Sequence, residues 1–371
     1  MKKKVLFLIH DLGQGGAEKV LVNLVNNMDR SQFDISVTAL FGGGVNEQFL
    51  APDIHFHAVF PKEVPGNSKL MKLLTPEQLH QLCVKEHYDI EVSYLEGPSA
   101  RVISGCKDLN TKTICWIHST FSSLKSSSAS FRSPKEAEQC YGSFDEIVCV
   151  SQNVCSAFTK TFPSSKSVSV LYNVTNSNSV ISQSGQSLEY PLSHSGEIAL
   201  IGIGTLKPVK AFDRLVRIHA KLREDNYPVH TYLLGQGPDL DKLKALADEL
   251  GVSDTFSFLG YNTNPYNYLA HSDLFVCSSI SEGFSTAATE ALILGVPVCT
   301  VEVSGMKEML GEYDEYGIVT ENSEEALYQG IKRLLDAPAL LAHYREKAAE
   351  RGKLFSTEQT VKAVEEMFLH L

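Results

Sequence analysis

Residues 281–297 carry the pattern that decides the fold, and they read Ser-Glu-Gly-Phe-Ser-Thr-Ala-Ala-Thr-Glu-Ala-Leu-Ile-Leu-Gly-Val-Pro. A strand-like apolar run, Asp273–Ser278, precedes them, and helical spacing begins near Ser285. The start of such a helix offers free backbone N–H groups and the positive end of the helix dipole, which suit a phosphate. Glu282 and Glu290 place a carboxylate at each end of this phosphate site. A capped surface helix is the alternative interpretation of the same glutamate pair.

The flanking sequence, Glu-Gly-Phe and then Glu-Ala-Leu-x-x-Gly-x-Pro, resembles the E-x7-E signature of the retaining GT-B glycosyltransferases of family 4. In that family the diphosphate of a sugar nucleotide lies on the helix N-terminus. The implied donor-binding residues at this helix start are Gly283, Phe284, Ser285 and Thr286. The resemblance also implies that Glu290 accepts hydrogen bonds from the ribose hydroxyls and that Glu282 lies against the transferred sugar. A carboxylate only accepts hydrogen bonds, so it matches two vicinal hydroxyl donors.

Length and composition indicate a two-domain soluble enzyme. The chain of 371 residues is 43% hydrophobic and 21% charged, which is enough to bury two cores of ordinary size. The sequence has no apolar run long enough to span a membrane. The amino terminus is similar to a signal peptide, but its apolar run, Val5–Ile9, is short and fits a first β-strand better.

The net charge and the cysteine pattern indicate which partners and which cellular compartment to expect. The net charge is −11 and the acidic excess lies in residues 173–371, so nucleic acid is not expected as a partner. Lys69 and Lys72, in the neutral first part, are available to an anionic membrane, with a solvated helix face as the alternative. The eight cysteines form no C-x-x-C pair and indicate buried free thiols in a reducing compartment. We therefore expect a cytoplasmic protein with peripheral contact at the inner membrane surface.

Short apolar runs alternate with helical patterns along the chain, which predicts βαβ units and parallel sheets. The predicted strands are Lys4–His10, Phe33–Leu40, Asp89–Leu95, Lys112–His118, Glu146–Val150, Glu197–Ile203, His230–Leu234, Thr255–Phe258, Asp273–Ser278 and Val296–Val301. A polar stretch, residues 174–187, has the composition of a linker or loop. The expected fold class is α/β in the GT-B architecture, with two Rossmann-like domains facing each other across a cleft. Residues 1–172 are the expected acceptor-side domain and 173–355 the donor domain, and in the resembled fold the terminal helix, 356–371, completes the first.

Glycines follow the first predicted strand, in Asp11-Leu-Gly-Gln-Gly-Gly-Ala17. They let the backbone approach a ligand closely, although a tight turn that needs glycine for packing explains them equally well. The spacing is not the dinucleotide-binding Gly-x-Gly-x-x-Gly. By resemblance, Gly15 and Gly16 correspond to the glycine pair that faces the donor phosphates from the acceptor domain.

The segment 202–215 departs from the family pattern. Family members usually read Gly-Arg-Leu and then Lys-Gly-Phe here, and the arginine and lysine both neutralise the diphosphate. Lys210 matches, but Thr205 stands where the arginine is expected. Because a hydroxyl carries no charge, we expect Lys207 to supply the second cation. A less stabilised diphosphate, or a partly degenerate site, are the alternatives.

Further candidates lie where predicted strands end. His118 occupies a strand end, where ligands bind in open α/β sheets, and the resemblance gives it a contact with the sugar near the anomeric centre. A structural histidine is the alternative. Glu96, at a corresponding strand end, is expected to hold an acceptor hydroxyl, with loop capping as the alternative. Tyr261 follows the strand that resembles the family's base-binding strand, where turn chemistry is the alternative.

The sequence therefore predicts a retaining glycosyltransferase of the hexosyltransferase type, with Glu282 and His118 as its catalytic residues. By resemblance, the donor is a UDP-sugar and the acceptor a glycan or lipid-linked acceptor in bacterial surface polysaccharide synthesis. No metal or other cofactor is expected, since the sequence has no Asp-x-Asp triplet or histidine cluster. Two alternatives stay open: a nucleotide-sugar epimerase or phosphorylase of the same fold, and a non-catalytic sugar-nucleotide-binding partner.

Overall fold

The computed structural model describes residues 2–63, 66–121, 123–163, 165–192, 196–282, 284–303 and 305–371, and of Ser68 and Leu70 the backbone alone. The chain divides into two compact units. The first contains Met1–Thr175 and Thr357–Leu371, and the second contains Asn176–Ser356. The chain therefore leaves the first unit once and returns to it with its last segment.

Within the described residues, the first unit is built on a sheet of seven parallel strands. The strands are β1 (Lys3–Ile9), β2 (Phe33–Phe41), β3 (His55–Phe60), β4 (Ile90–Ser93), β5 (Lys112–Ile117), β6 (Glu146–Cys149) and β7 (Val168–Val170). Their order is β3-β2-β1-β4-β5-β6-β7. The order changes direction between β1 and β4, and ligands of open α/β sheets bind outside the carboxyl ends of such strands.

Six parallel strands form the sheet of the second unit in the described residues. They are β8 (Ile198–Ile203), β9 (Val229–Leu234), β10 (Phe256–Gly260), β11 (Leu274–Cys277), β12 (Val298–Val301) and β13 (Ile318–Thr320). Their order, β10-β9-β8-β11-β12-β13, is that of a Rossmann fold. Here the order changes direction between β8 and β11, which pair with each other through Leu274 and Leu200.

Helices connect the strands, as parallel pairing requires. Those of the first unit before the crossover are α1 (Gly16–Asn27), α2 (Asn67–Met71), α3 (Pro76–Cys83), α4 (Pro98–Ile103), α5 (Leu124–Ser127), α6 (Pro134–Ser143) and α7 (Gln152–Thr161). Those of the second unit are α8 (Ser177–Ser184), α9 (Phe212–Glu224), α10 (Leu240–Glu249), α11 (Pro265–Ala270), α12 (Thr286–Ile293), α13 (Met306–Leu310), α14 (Glu324–Asp336) and α15 (Pro338–Gly352). The last helix of the chain is α16 (Thr357–His370).

Helix α16 packs into the core of the first unit. The ring of Phe368 is fully buried, and its centroid lies 5.9 Å from that of Phe7 and 6.1 Å from that of Phe33. The Lys3 ammonium donates to the backbone oxygen of Phe368 at 2.7 Å. The end of the chain is therefore joined to the first two strands of the sheet.

The ten predicted strands are all present in the described residues, and each of their ends lies within two residues of the prediction. The prediction of a linker or loop at 174–187 is wrong, because residues 177–184 form α8. The Asn176 side chain caps this helix by accepting from the Ser179 backbone at 3.0 Å, and Val180 is buried. A Ser- and Asn-rich helix has low intrinsic propensity, so its contacts with α11 and α12 stabilise it.

A bilayer-spanning helix needs about 20 apolar residues. None of the helices in the described residues has that combination of length and apolar character.

Candidate functional site

The candidate residues of the second unit come mainly from two loops. One segment, 204–211, follows β8, and the other, of which residues 278–282 and 284–285 are described, follows β11. Because β8 and β11 are parallel neighbours at the change of strand order, both loops leave the same edge of the sheet side by side. This topology brings residues about 70 positions apart in sequence into contact.

Lys210 and Glu282 form an ion pair where the two loops meet. The Lys210 Nζ lies 2.6 Å from the Glu282 Oε1, and the Ser279 hydroxyl donates to the same oxygen at 2.6 Å. The Ser278 hydroxyl donates to the backbone oxygen of Lys210 at 2.9 Å. The side chains are 26% exposed for Lys210 and 11% for Glu282, so the pair is partly screened from solvent.

Sequence reasoning missed Ser278 and Ser279, although both lie at the carboxyl end of a predicted strand. This position at the end of a strand is the sequence feature that could have identified them. The two serines fix the carboxylate of Glu282 and the backbone of Lys210, so they position both members of the ion pair.

Thr205 and Lys207 lie exposed on the loop after β8. The Lys207 backbone N–H donates to the Thr205 oxygen at 2.8 Å, which makes this part of the loop a tight turn. Among the residues that the structure describes, no carboxylate lies within ion-pair distance of the Lys207 ammonium. Lys207 therefore carries a positive charge that is not neutralised by a partner, unlike Lys210.

The neighbouring loop after β9 packs tightly on this turn. Gly235 has a φ of +145°, and a Cβ there would lie 1.8 Å from the backbone oxygen of Gly204. A Cβ on Gly237 would lie 2.2 Å from the Leu206 oxygen. Glycine is thus required at both positions for the close approach of two backbones.

Helix α12 begins with a side-chain cap. The Ser285 hydroxyl accepts from the Ala288 backbone N–H at 3.4 Å, and Thr286 is the first helical residue. The ring of Phe284 is buried, with its centroid 5.8 Å from that of Phe355. Gly283, also predicted to bind the donor, lies outside the described residues. The ring of Phe284 therefore anchors the start of the helix.

Glu290 is the fifth residue of α12, about one turn inside the helix. Its side chain is buried, and the Tyr266 hydroxyl donates to the Glu290 Oε1 at 3.2 Å. Tyr266 lies on α11, 24 residues away, and nothing in the sequence pairs the two. A carboxylate has about four acceptor positions, so this bond leaves capacity for further donors.

In the first unit, the structure brings Glu96 and His118 together. Glu96 follows β4 and His118 follows β5, and the Glu96 Oε2 accepts from the His118 backbone N–H at 2.9 Å. This bond is the loop capping that was the alternative for Glu96. The second carboxylate oxygen is not part of this bond.

The imidazole of His118 has an unusual environment. Its Nε2 atom is buried and has no hydrogen-bond partner among the described residues, and the ring packs 5.0 Å from that of Tyr94. Burial lowers the pKa of His118 to about 3. The ring is therefore neutral at physiological pH, and Nε2 is available for one hydrogen bond but not as a positive charge.

Gly15 is the N-cap of α1, and Gly16 is its first residue. The Glu18 carboxylate lies directly over this helix start, because a Cβ on Gly15 would be 2.0 Å from the Glu18 Oε2. Burial raises the pKa of Glu18, and the nearby Asp11 adds to this effect. Sequence reasoning missed Glu18, which an anion arriving at Gly15 and Gly16 would meet.

Tyr261 follows β10, directly after Gly260, which has a φ of +71°. Its side chain is 68% exposed. The described contacts do not join Tyr261 to Lys210, Glu282 or Glu290.

Two family models match the chain in its two parts. The model of glycosyltransferase family 4 matches residues 14–178, and that of the glycosyl transferases group 1 matches residues 190–352. Together they span most of both units.

Relatives and a solved structure agree with these matches. The chain is 27% identical over 367 residues to the N-acetylgalactosamine-N,N'-diacetylbacillosaminyl-diphospho-undecaprenol 4-alpha-N-acetylgalactosaminyltransferase of Campylobacter jejuni, covering 95% of this chain and 96% of that protein. It is 26% identical over 232 residues to the lipopolysaccharide core biosynthesis glycosyltransferase LpsD of Rhizobium meliloti, covering 62% of this chain and 64% of that protein. HepE of Anabaena, solved in complex with UDP, matches with a TM-score of 0.78 at 19% identity and 100% coverage of both chains.

Each unit has a parallel sheet, and the strand orders agree with these matches. The chain belongs to glycosyltransferase family 4, has a fold of the GT-B type and is a glycosyltransferase.

Proposed function

We propose that the protein transfers a sugar from a uridine-diphosphate sugar to a hydroxyl of a glycan or lipid-linked acceptor, with retention of the anomeric configuration, in the synthesis of a bacterial surface polysaccharide. The observation that carries this proposal is the ion pair of Lys210 and Glu282 at the change of strand order in the second unit. It places a cation beside a carboxylate where a Rossmann-like sheet binds nucleotides.

A departing nucleoside diphosphate needs positive charge, and a transferred sugar needs hydrogen-bond acceptors. In our proposal Lys210, with the N–H groups at the start of α12, stabilises the diphosphate, and Lys207 adds a second cation where the family has an arginine. Glu282 contacts the sugar, and Glu290 binds the ribose. His118, neutral with a buried Nε2, donates or accepts one hydrogen bond at the sugar.

The contacts of Glu282 support attack on the same face as the leaving group rather than through a covalent intermediate. Its Oε1 already accepts from Lys210 and Ser279, both at 2.6 Å. Hydrogen bonds from a cation and a hydroxyl hold electron density on that oxygen and make it a poorer nucleophile. Glu282 is therefore suited to orient the sugar and to oppose its developing positive charge.

The relatives guide the choice of substrates. HepE was solved with UDP. The name of the C. jejuni relative specifies a lipid-diphosphate-linked acceptor, and that of LpsD specifies lipopolysaccharide core synthesis. We extend these substrate classes to this chain as part of the proposal.

The first test is a screen of sugar nucleotides for donor hydrolysis and for transfer to lipid-linked glycans, with the product anomer assigned by NMR. We expect slow UDP release from one UDP-sugar and an α-linked product from an α-linked donor. An inverted product would overturn the retaining mechanism. An isomerised sugar nucleotide formed without an acceptor would identify an epimerase instead.

Turnover is expected to persist in excess chelator, because lysines and backbone N–H groups supply the positive charge.

Two glutamine variants test the roles of the glutamates. Glu290→Gln should weaken UDP binding by roughly 1–3 kcal/mol, since it removes a charge-assisted hydrogen bond to a part of the donor that does not react. Glu282→Gln should lower turnover on the order of a hundredfold or more. It should leave UDP affinity unchanged or higher, because Lys210 loses its anionic partner. Calorimetric UDP binding and initial rates separate the cases, and equal losses of UDP affinity in both variants would contradict the assignment.

We propose peripheral membrane contact for the segment 69–73 of the first unit. Leu73 is 76% exposed and Lys69 is exposed, while the Lys72 ammonium is bound to the Ala129 oxygen at 2.6 Å. An exposed leucine beside a lysine suits an anionic lipid surface. Sedimentation with anionic and with neutral vesicles tests this, and Lys69→Glu with Leu73→Ser should reduce binding to the anionic ones. Equal sedimentation of this variant and the natural protein would exclude the segment.

A further inference from the structure

Three side chains of the first unit, all outside the site described above, meet around one point. His80 lies on α3, Glu91 on β4, and Cys106 shortly after α4. The His80 Nε2 is 2.7 Å from the Glu91 Oε2, and one ligand atom of each residue lies within 4.8 Å of those of the other two. Glu91 lies 11 positions after His80, and Cys106 lies 15 positions after Glu91, so the three side chains converge from three separate elements.

Backbone contacts fix the three elements that carry these side chains. Helix α3 starts with a capping box in which Thr75 and Gln78 bond each other's backbones. Strand β4 pairs with β1 on one side and β5 on the other. A Cβ on Gly105 would lie 2.1 Å from the Pro76 oxygen, so the turn that carries Cys106 lies directly against the start of α3. Close packing therefore sets the backbone positions of all three residues.

The cluster lies away from the residues proposed for sugar transfer. Glu91 is the second residue of β4, whereas Glu96 follows the carboxyl end of the same strand. Cys106 follows α4, which returns the chain toward the amino end of β5. The amino and carboxyl ends of parallel strands lie on opposite sides of the sheet, so Glu91 and Cys106 lie toward the amino ends of the strands, whereas Glu96 and His118 follow their carboxyl ends.

The chemistry of the three ligands is specific. Glu91 is only 2% exposed, and a buried carboxylate requires a positive partner. The His80 imidazole hydrogen-bonds both the Glu91 carboxylate and the Cys106 thiol, so one ring joins all three side chains. A thiolate, an imidazole nitrogen and a carboxylate oxygen together are the ligand set of zinc, whereas Mg²⁺ and Ca²⁺ prefer oxygen ligands alone.

We propose that His80, Glu91 and Cys106 bind a divalent transition metal of the zinc type, with a water molecule at the fourth position. Binding replaces the proton between His80 and Glu91 and that of the Cys106 thiol, so protons are released as the metal enters. With metal–ligand bonds of about 2.0–2.1 Å in a tetrahedron, the nitrogen and oxygen separate from 2.7 Å to roughly 3.3 Å. The metal links α3, β4 and the end of α4, and its role is structural.

Cobalt is the probe, because Co²⁺ occupies tetrahedral zinc sites and a Co²⁺–thiolate bond has a charge-transfer absorption. We expect one Co²⁺ per chain with this band, displaced by one equivalent of Zn²⁺. The band should be lost in Cys106→Ser and weakened in His80→Ala. It should remain in Cys155→Ser, the matched control, since Cys155 is also a half-buried free thiol. A natural protein without the band, or a Cys106→Ser variant that keeps it, would overturn the proposal.

Thermal unfolding gives a second readout that does not depend on catalysis. At a hundredfold excess of zinc over its dissociation constant, the Tm of the first unit should be roughly 5–10 °C higher than in chelator. The Cys106→Ser variant should show no such difference, while Cys155→Ser should show it in full. Equal Tm values for the natural protein with zinc and with chelator would contradict a structural metal. Turnover should be the same with zinc and with chelator, which separates this proposal from that for sugar transfer.

Discussion

A lysine held at 2.6 Å by a carboxylate shares its charge with that partner, so Lys210 attracts an incoming anion less than an unpaired lysine would. Ser278 and Ser279 keep the pair in place. In the proposed function a diphosphate competes with Glu282 for Lys210, while the Ser279 hydroxyl continues to hold the Glu282 Oε1 when the lysine turns to the donor. The exposed Lys207 has no such partner in the described part of the chain and is available without this competition.

This arrangement predicts unequal effects of the two lysines. Lys210→Ala should lower turnover on the order of a hundredfold or more and weaken UDP binding, because it removes a cation and leaves Glu282 as an unpaired carboxylate near the diphosphate. Lys207→Ala should have a smaller effect. Thr205→Arg should be tolerated or should strengthen UDP binding, since a guanidinium binds phosphate in a bidentate way. Calorimetric UDP binding and initial rates measure all three.

A double variant provides the control for this interpretation. In Lys210→Ala with Glu282→Gln the unpaired carboxylate is gone, so UDP affinity should recover part of what Lys210→Ala alone loses. Full activity of the Lys210→Ala, Lys207→Ala double variant would refute a role of either lysine at the diphosphate.

Some residues of the candidate site could be predicted from the sequence and others could not. Lys210 and Glu282 each follow an apolar run that ends at the same edge of a parallel sheet, so their proximity follows from the strand pattern. Tyr266 meets Glu290 through the packing of α11 beside α12, and His80 meets Cys106 through a backbone approach at Gly105. Such contacts depend on tertiary packing, which a single sequence does not display.

At the level of elements, the strands that sequence analysis missed share one property. These are β3, β7 and β13, and each lies at an edge of its sheet. An edge strand is paired on one side and less covered, and β3 is mostly exposed while β7 is half-buried throughout. Without the continuous apolar run of a central strand, the pattern has no signal that separates such a strand from a loop.

Helix α12 depends on the helix behind it. Gly352 ends α15, and a Cβ at this position would lie 2.3 Å from the Leu292 oxygen of α12. Gly352→Ala should lower the free energy of unfolding by about 1–3 kcal/mol through overpacking. It should also weaken UDP binding, because Glu290 lies on the displaced helix. Denaturant unfolding and calorimetry measure the two effects.

Gly185→Ala is the matched control in the same unit. Gly185 has a φ of −80°, and a Cβ there would lie 3.9 Å from the nearest atom, the Ser182 backbone oxygen. Alanine there should change the free energy of unfolding by less than about 1 kcal/mol and leave UDP binding unchanged. If Gly352→Ala behaves like this control, α12 is not held by the end of α15.

For the whole molecule, the return of the chain makes the first unit depend on its last residues. Phe368→Ala removes a fully buried ring that packs on Phe7 and Phe33, and should cost about 3–5 kcal/mol of stability in the first unit. Leu369→Ala, at a neighbour that is 47% exposed, should cost less than about 0.5 kcal/mol. Calorimetric unfolding of both variants tests this, and similar losses would mean that α16 does not contribute to the core.

Resistance to acid should depend on a histidine in the core of the second unit. His219 is fully buried, and its ring nitrogens bond the hydroxyls of Thr231 at 2.8 Å and Thr255 at 2.9 Å. Burial, with smaller effects of His230 and Arg223, lowers the pKa of His219 to about 3. Because the unfolded chain takes up a proton near pH 6.5 that the folded core excludes, this contribution to stability is complete above pH 6.5 and is lost as the pH falls toward 3.

His219→Gln keeps hydrogen-bonding capacity but removes the titration. The difference in free energy of unfolding between the natural protein and this variant should be constant above pH 7.5. Between pH 6.5 and 5.5 the natural protein should lose about 1 kcal/mol of its free energy of unfolding relative to the variant. Urea unfolding at each pH measures this difference. If the difference for His219→Gln is flat, His219 takes up its proton in the folded state, and the acid sensitivity of the second unit originates in its carboxylates.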